Sequence, residues 1–238
     1  ICAIQYLKAV LKYSKSMNGI GNLKEIHFID VNDAVLDLIT LAFSSSLEDN
    51  KVAAEQFNSK LKNVLSTSEQ SSISKIPFWK KRVHVSEKGA PHHKMNKENT
   101  TFNFSKMLKV LIYTGDITES KCKVIVSSED SFKSQGGVAQ TIREKAGNKF
   151  DTFIAKNRSR LQQVGDLLEA DAGNLKCEKV LCCVVPKWTN KMSDEDYRKQ
   201  LDQCFKNIME KARTFKSVAI PLIGTGFKYA TIEICGRV

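Results

Sequence analysis

Short apolar runs alternate with amphipathic helical stretches along residues 106–238. The runs have the length and apolar character of buried strands: they are Leu108–Tyr113, Val124–Val126, Val180–Val185 and Val218–Ile223, with Gln163–Ala170 as a weaker candidate. Between them, Val138, Ile142 and Ala146 lie four apart and predict a helix over Gly137–Ala146. This order predicts an α/β fold in which helices cover both faces of one sheet.

The amino-terminal residues predict a helix, a strand and a second helix. Apolar positions from Ile1 to Leu11 recur at helical spacing, and Asn18–Asn22 ends that helix. Leu23–Ile29 has the alternation of a strand. A second helix follows, with Asp30 or Asn32 as its cap.

Residues 46–105 are polar and predict a linker that is largely disordered. The segment contains the serine-rich Ser66–Ser74 and the basic Lys80–Arg82. A short helix over Lys51–Leu65 is compatible with the same sequence. The linker therefore divides the chain into residues 1–45 and 106–238.

Composition excludes several classes of protein. No run of about 18 apolar residues is present in the 238-residue chain, so we expect a soluble protein without a membrane partner. The seven cysteines include no CxxC pair, and the four histidines lack metal-ligand spacing, so we expect reduced thiols and no metal. The net charge of +11 favours either polyanionic partners or a merely solvated basic surface.

Glycine-containing turns lie at the ends of predicted elements. They are Gly115-Asp116-Ile117 after one strand, Gly136-Gly137 before a helix, and Gly224-Thr225-Gly226 after another strand. Such loops either make plain tight turns or close backbone N–H groups around a phosphate. The carboxylate of Asp116 can accept a hydrogen bond from an adenine amino group. Adenosine diphosphate chemistry fits this combination.

In order and spacing, these motifs resemble the macrodomain family of ADP-ribose-binding modules. The resemblance covers Met107–Val238, and it rests on Thr114–Thr118, Val124–Ser128, Gly136–Ala139, Lys145–Gly147, Asp171–Leu175 and Ile220–Gly226. It implies a three-layer α/β/α fold with a mixed sheet, truncated at its carboxyl terminus. It also implies that ADP-ribose, or a protein carrying it, is the partner and that no cofactor is needed.

The resemblance assigns ligand-binding roles to residues in four of these motifs. Asp116 and Ile117 would meet the adenine, and Ser127 would lie in the ligand-binding strand end. The remaining ligand-binding residues would wrap the diphosphate from two sides: Gly136, Gly137 and Val138 on one side, and Gly224, Thr225, Gly226 and Phe227 on the other.

Departures from the family pattern favour binding without catalysis. Ser127-Ser128-Glu129-Asp130 replaces the usual Asn-Ala-Ala-Asn, and Gln135 replaces a glycine. Ala139 stands where hydrolysing members carry an aspartate, so we assign no catalytic residue. We expect a module, with intact or weakened affinity, that recognises ADP-ribose or mono-ADP-ribosylated protein. The alternatives are a hydrolase using Asp130 or Glu129 as its base, or a degenerate scaffold that binds nucleic acid or protein through its basic surface.

Residues 1–45 resemble the closing elements of a preceding macrodomain. A tandem array of this kind resembles the macrodomain-bearing mono-ADP-ribosyltransferases, and the chain is expected to be a fragment in the nucleus, the cytoplasm or both. The first residue is Ile1, not Met. The second copy is expected to lack a helix end, a strand and a helix that residues 1–43 possess, and an unpaired sheet edge is costly, so the hypothesis is that residues 1–43 dock on its open edge.

Overall fold

The computed structural model describes residues 2–15, 21–31, 33–47, 100–103, 108–129, 136–187 and 191–223. These ranges contain seven strands and five α-helices. In chain order they are α1 (Cys2–Lys15), β1 (Glu25–Asp30), α2 (Asp33–Leu47), β2 (Thr100–Asn103), β3 (Lys109–Thr114), β4 (Val124–Glu129), α3 (Gly137–Ala146), α4 (Asn148–Asn157), β5 (Leu167–Asp171), β6 (Lys179–Val184), α5 (Asp194–Ala212) and β7 (Ser217–Pro221). Short 3₁₀ turns follow β3 at Ile117–Glu119 and α4 at Arg158–Arg160.

One mixed sheet joins all seven strands in the order β2-β3-β1-β7-β4-β6-β5. The five inner strands are parallel, and the two edge strands, β2 and β5, run antiparallel to their neighbours. Because parallel strands end at the same edge, the carboxyl ends of β3, β1, β7 and β4 all lie on one side of the sheet. In α/β proteins this is the side where ligands bind.

Helices cover both faces of the sheet. Helices α1, α2 and α5 pack on one face, where Tyr6, Phe43 and Phe205 are fully or almost fully buried. Helices α3 and α4 pack on the other, where Ile142 and Ile154 are fully buried. The predicted three-layer α/β/α architecture with a mixed sheet is confirmed.

The amino-terminal strand β1 lies inside this sheet, between β3 and β7. Phe28 of β1 stands opposite Ile112 on one side and Ile220 on the other. Its ring contacts that of Tyr6 edge to face, with a centroid distance of 4.9 Å. Strand β1 thus lies inside the sheet, whereas the sequence suggested that residues 1–43 dock at an open edge. The assignment of residues 1–45 to a preceding copy stays a prediction.

The structure differs from the predicted linker at its carboxyl-terminal end. Thr100–Asn103 forms β2, and the side chain of Phe102 is buried, with its ring 5.5 Å from that of Phe43. Antiparallel pairing with β3 and this aromatic contact explain why a short polar segment is a strand. Residues 48–99, including the predicted helix Lys51–Leu65, lie outside the described residues.

Cysteine side chains are part of the core. Cys122, Cys177, Cys182, Cys183 and Cys204 are buried free thiols. Burial raises the pKa of Cys177 to about 11, so this thiol is protonated at neutral pH. No helix in the described ranges is both long enough and apolar enough to cross a membrane.

His27 of β1 predicts a pH dependence of stability. Its Nε2 lies 3.2 Å from Glu25, and its Nδ1 lies 3.1 Å from the Tyr113 hydroxyl of β3. Burial lowers the pKa of His27 below 6.5, although the hydrogen bond and charge of Glu25 oppose this shift. The unfolded chain then binds a proton at higher pH than the folded chain, so acid favours unfolding.

We therefore expect the free energy of unfolding to fall as the pH drops from about 7 to about 5. The variant His27→Gln should show a flatter profile over that interval in urea titrations. An equally steep profile in the variant would assign the pH dependence to other groups.

Candidate functional site

Asp116 follows β3 at the carboxyl edge of the sheet. Its Oδ1 accepts hydrogen bonds from the backbone N–H and the hydroxyl of Thr118, at 2.9 and 2.6 Å. Its Oδ2 accepts one from Lys145 Nζ at 2.8 Å. Partial burial alone would raise the pKa of Asp116, but these hydrogen bonds and the lysine charge hold it below 3.8. Asp116 is therefore an ionised, oriented acceptor at neutral pH.

Lys145 joins the turn at Asp116 to the end of α3. Its ammonium also lies 3.5 Å from Glu119, which Lys176 contacts at 2.6 Å. All four side chains are at least 40% exposed, so the ion pairs contribute little to stability. Their effect is positional: they fix Asp116 relative to α3. Ile117, beside Asp116, is buried in the core that α3 covers.

The amino terminus of α3 has the properties of an anion site. Gly136 caps the helix with extended backbone angles and, as a glycine, supplies no side chain to the first N–H groups. A Cβ atom at Gly137 would meet no atom of the described residues within 4 Å. Val138, the next residue, is half-buried. The first N–H groups of a helix have no intrahelical partner, and together with the helix dipole they favour a negatively charged ligand at this end.

A buried ionic network lies behind this helix terminus. Glu129, at the end of β4, accepts a hydrogen bond from the Ser127 hydroxyl at 2.7 Å and another from Arg143 Nη2, also at 2.7 Å. The side chain of Glu129 is 5% exposed and that of Arg143 is 10% exposed. Arg143 Nη1 also lies 3.4 Å from Asp151 of α4. The network therefore ties α3 and α4 to β4.

This network changes what Ser127 and Glu129 are able to do. The Ser127 side chain is fully buried, so a contact between its hydroxyl and a ligand would require the hydroxyl to leave Glu129. The Glu129 carboxylate is committed to Ser127 and Arg143, which argues against its use as a general base. The sequence analysis did not identify Arg143. The only sequence signal for a buried cation was Glu129, an acidic residue at the end of a strand of buried character.

Part of the predicted site lies outside the described residues. Gly224, Thr225, Gly226 and Phe227 belong to that part, as do Asp130 and Gln135. The strand that leads to the glycine loop is described, and Leu222 and Ile223 beyond it are buried. The other predicted ligand-binding residues are described, and of these Asp116, Gly136 and Gly137 are exposed at the carboxyl edge of the sheet, whereas Ile117 and Ser127 are buried and Val138 is half-buried.

Two further observations bear on chemistry. Ala139, in the first turn of α3, is fully buried and has no group that could act as a base. Among the described residues, no group of three or more His, Cys, Asp or Glu side chains is placed to hold a metal ion.

Comparison with known proteins gives a family and several relatives. A family model described as Macro domain matches residues 127–238. O-acetyl-ADP-ribose deacetylase 1 of Pantoea vagans is 30% identical over 125 residues, which cover 50% of this chain and 72% of that protein. Human protein mono-ADP-ribosyltransferase PARP14 is 28% identical over 124 residues, which cover 50% of this chain and 7% of that protein.

A solved structure, the Oceanobacillus iheyensis macrodomain with ADP, is 24% identical to this chain. The match covers 54% of this chain and 70% of that one, with a TM-score of 0.47.

Proposed function

Because this chain belongs to the macro domain family, we propose that it is a binding module for ADP-ribose, either free or attached as a single unit to a protein. The observation that carries the proposal is that Asp116 and the amino terminus of α3 are both present in one structure. The Asp116 carboxylate suits an adenine amino group, and the helix amino terminus suits a diphosphate. Both lie at the carboxyl edge of the parallel strands.

Lys145 connects these two groups through one helix. Its ammonium contacts Asp116, and Gly137 begins the same helix eight residues earlier. The backbones of Gly137 and Lys145 are therefore about 12 Å apart along the helix axis. The same helix thus presents its amino terminus to a phosphate and anchors the carboxylate proposed for the adenine.

We propose binding without bond cleavage. Support comes from Ala139, which replaces a potential base, and from Glu129, whose carboxylate is buried against Arg143. The relative from Pantoea vagans is named as a deacetylase, so hydrolysis is the second candidate. Release of product from O-acetyl-ADP-ribose or from a modified protein, abolished by Asp130→Ala, would favour the enzyme.

Calorimetric titration with ADP-ribose tests the binding proposal. We expect binding that is stronger than that of AMP, because AMP lacks the second phosphate. Asp116→Ala should weaken it about 10- to 100-fold, as expected for the loss of a charge-assisted hydrogen bond. Asp116→Asn, which keeps an acceptor oxygen, should retain part of the affinity.

The control is Asp171→Ala. Asp171 is an exposed aspartate paired with Lys179 at the opposite edge of the sheet, so its removal should leave ADP-ribose affinity unchanged. Absence of heat at high ADP-ribose concentration with folded protein would refute the proposed function. An equal loss of affinity in both alanine variants would refute the role of Asp116.

A further inference from the structure

We propose that the outer face of α4 is a second binding surface, one that takes single-stranded nucleic acid. The surface consists of Lys149, Phe153, Lys156 and Arg160, and we call it the α4 stripe. All four side chains are exposed. The stripe does not include Asp116 or the amino terminus of α3, so it is independent of the proposed ADP-ribose site.

The spacing of the α4 stripe aligns its side chains. Lys149, Phe153 and Lys156 are separated by four and three residues, and side chains at these intervals lie on one face of a helix. Arg160 follows four residues later, in the 3₁₀ turn that continues α4. The Cα atoms of Lys149 and Lys156 are about 10 Å apart along the axis. The stripe is therefore a line of positive charge with an aromatic ring inside it.

These charges are not neutralised within the part of the chain that the structure describes. No ion pair joins Lys149, Lys156 or Arg160 to a described carboxylate, whereas Lys145, Lys176 and Lys179 each contact one. Asp151 is the acidic residue of α4, and it lies against Arg143. The stripe thus presents its full positive charge to solvent.

The exposed ring of Phe153 favours nucleic acid over other polyanions as the ligand. Its side chain is 37% exposed, and only it and Val31 are large apolar residues that stand exposed among those described. An aromatic ring between cations offers a stacking surface for an unpaired base, while the cations contact the phosphates. A duplex keeps its bases stacked inside, and an acidic peptide uses the charges without the ring. The combination therefore favours single strands.

Fluorescence anisotropy with a labelled oligo(U) of about 15 nucleotides, close to the upper site size of single-strand-binding folds, tests the proposal. The double variant Lys149→Ala/Lys156→Ala should weaken binding and reduce the slope of log affinity against log salt by about 1.4, or about 0.7 for each lost phosphate contact. The matched control is Lys8→Ala/Lys12→Ala, which removes the same charge from exposed positions of α1 on the other face of the sheet. Its affinity and slope should stay close to the parent values.

Phe153 supplies the second measurement. Phe153→Ala should weaken oligo(U) binding about 5- to 100-fold and leave the salt slope unchanged, because stacking involves no counterion release. Phe153→Leu, which keeps apolar bulk without the aromatic face, should weaken it nearly as much.

Several outcomes would overturn the proposal. Equal weakening of oligo(U) binding in the Lys8/Lys12 control would show that binding depends on the net charge of the protein and not on the α4 stripe. Equal affinity for duplex RNA or for an acidic peptide would exclude single-strand recognition, and displacement of oligo(U) by ADP-ribose would place it in the other site. Because the substituted lysine side chains are exposed, thermal unfolding should be unchanged in the two lysine double variants. Phe153 is 37% exposed, so its variants should unfold at a lower temperature and are compared where unfolding curves show them fully folded.

Discussion

Removal of residues 1–47 is expected to abolish the cooperative thermal unfolding of the rest of the chain. These residues supply β1, which forms parallel ladders with both β3 and β7. Without β1 those two strands lose a common partner, and the buried side of α5 loses its contacts with α1. Calorimetry should show a broad transition or none, and exposed apolar surface should bind a hydrophobic dye.

A point variant gives a graded version of this test. Phe28 of β1 is almost fully buried against Tyr6 and Phe43, so Phe28→Ala should lower the free energy of unfolding by about 3–5 kcal/mol. Val31→Ala, just beyond β1 at a 77% exposed position, is the control and should change it by less than about 0.5 kcal/mol. An unchanged melting temperature in the deleted chain would contradict the interior placement of β1.

Replacement of Arg143 by methionine should lower the free energy of unfolding by about 3–5 kcal/mol, because it leaves Glu129 charged and buried without its cation. The loss should be measured by urea titration at neutral pH. Arg160→Met, at an exposed position of the same helical layer without a described ion pair, should have an effect below about 0.5 kcal/mol.

A double-mutant cycle identifies the interaction. Glu129→Met and Arg143→Met should each be costly, but the double variant should be less destabilised than the sum of the two, because it buries no unpaired charge. Strict additivity would show that the two side chains do not act as a pair. The network also holds α3 against β4, so Arg143→Met should weaken ADP-ribose binding in any fraction that remains folded.

Local sequence patterns were sufficient for most elements of the fold. Buried strands such as Val180–Val185 and the four-residue spacing of Val138, Ile142 and Ala146 report burial directly, because burial sets the period of the apolar residues. Asp116 and Gly136 were predictable for a similar reason: both lie at the end of an element, where the local sequence determines the turn. These features depend on neighbours in sequence.

Features that depend on distant neighbours were not predictable in the same way. The apolar pattern of β1 predicts a strand but not that β3 and β7 are its partners, which lie far away in sequence. Arg143 lies at the margin of the apolar face of α3, and nothing local indicates that its side chain turns inward to Glu129. Lys145 likewise reads as a solvated lysine until the fold brings it to Asp116.

The interior position of β1 also constrains when the sheet can fold during synthesis of the chain. Glu25 pairs with Ser217, so a strand near the start of the chain waits for one of the last described strands. At about 5–20 residues per second, synthesis separates the two by roughly 10–40 s. During that interval the ribosome-bound chain holds a hydrophobic strand with no β7 to pair with, a period in which chaperones have the opportunity to bind it. The pairing of β1 with β7 can form only after β7 has been translated.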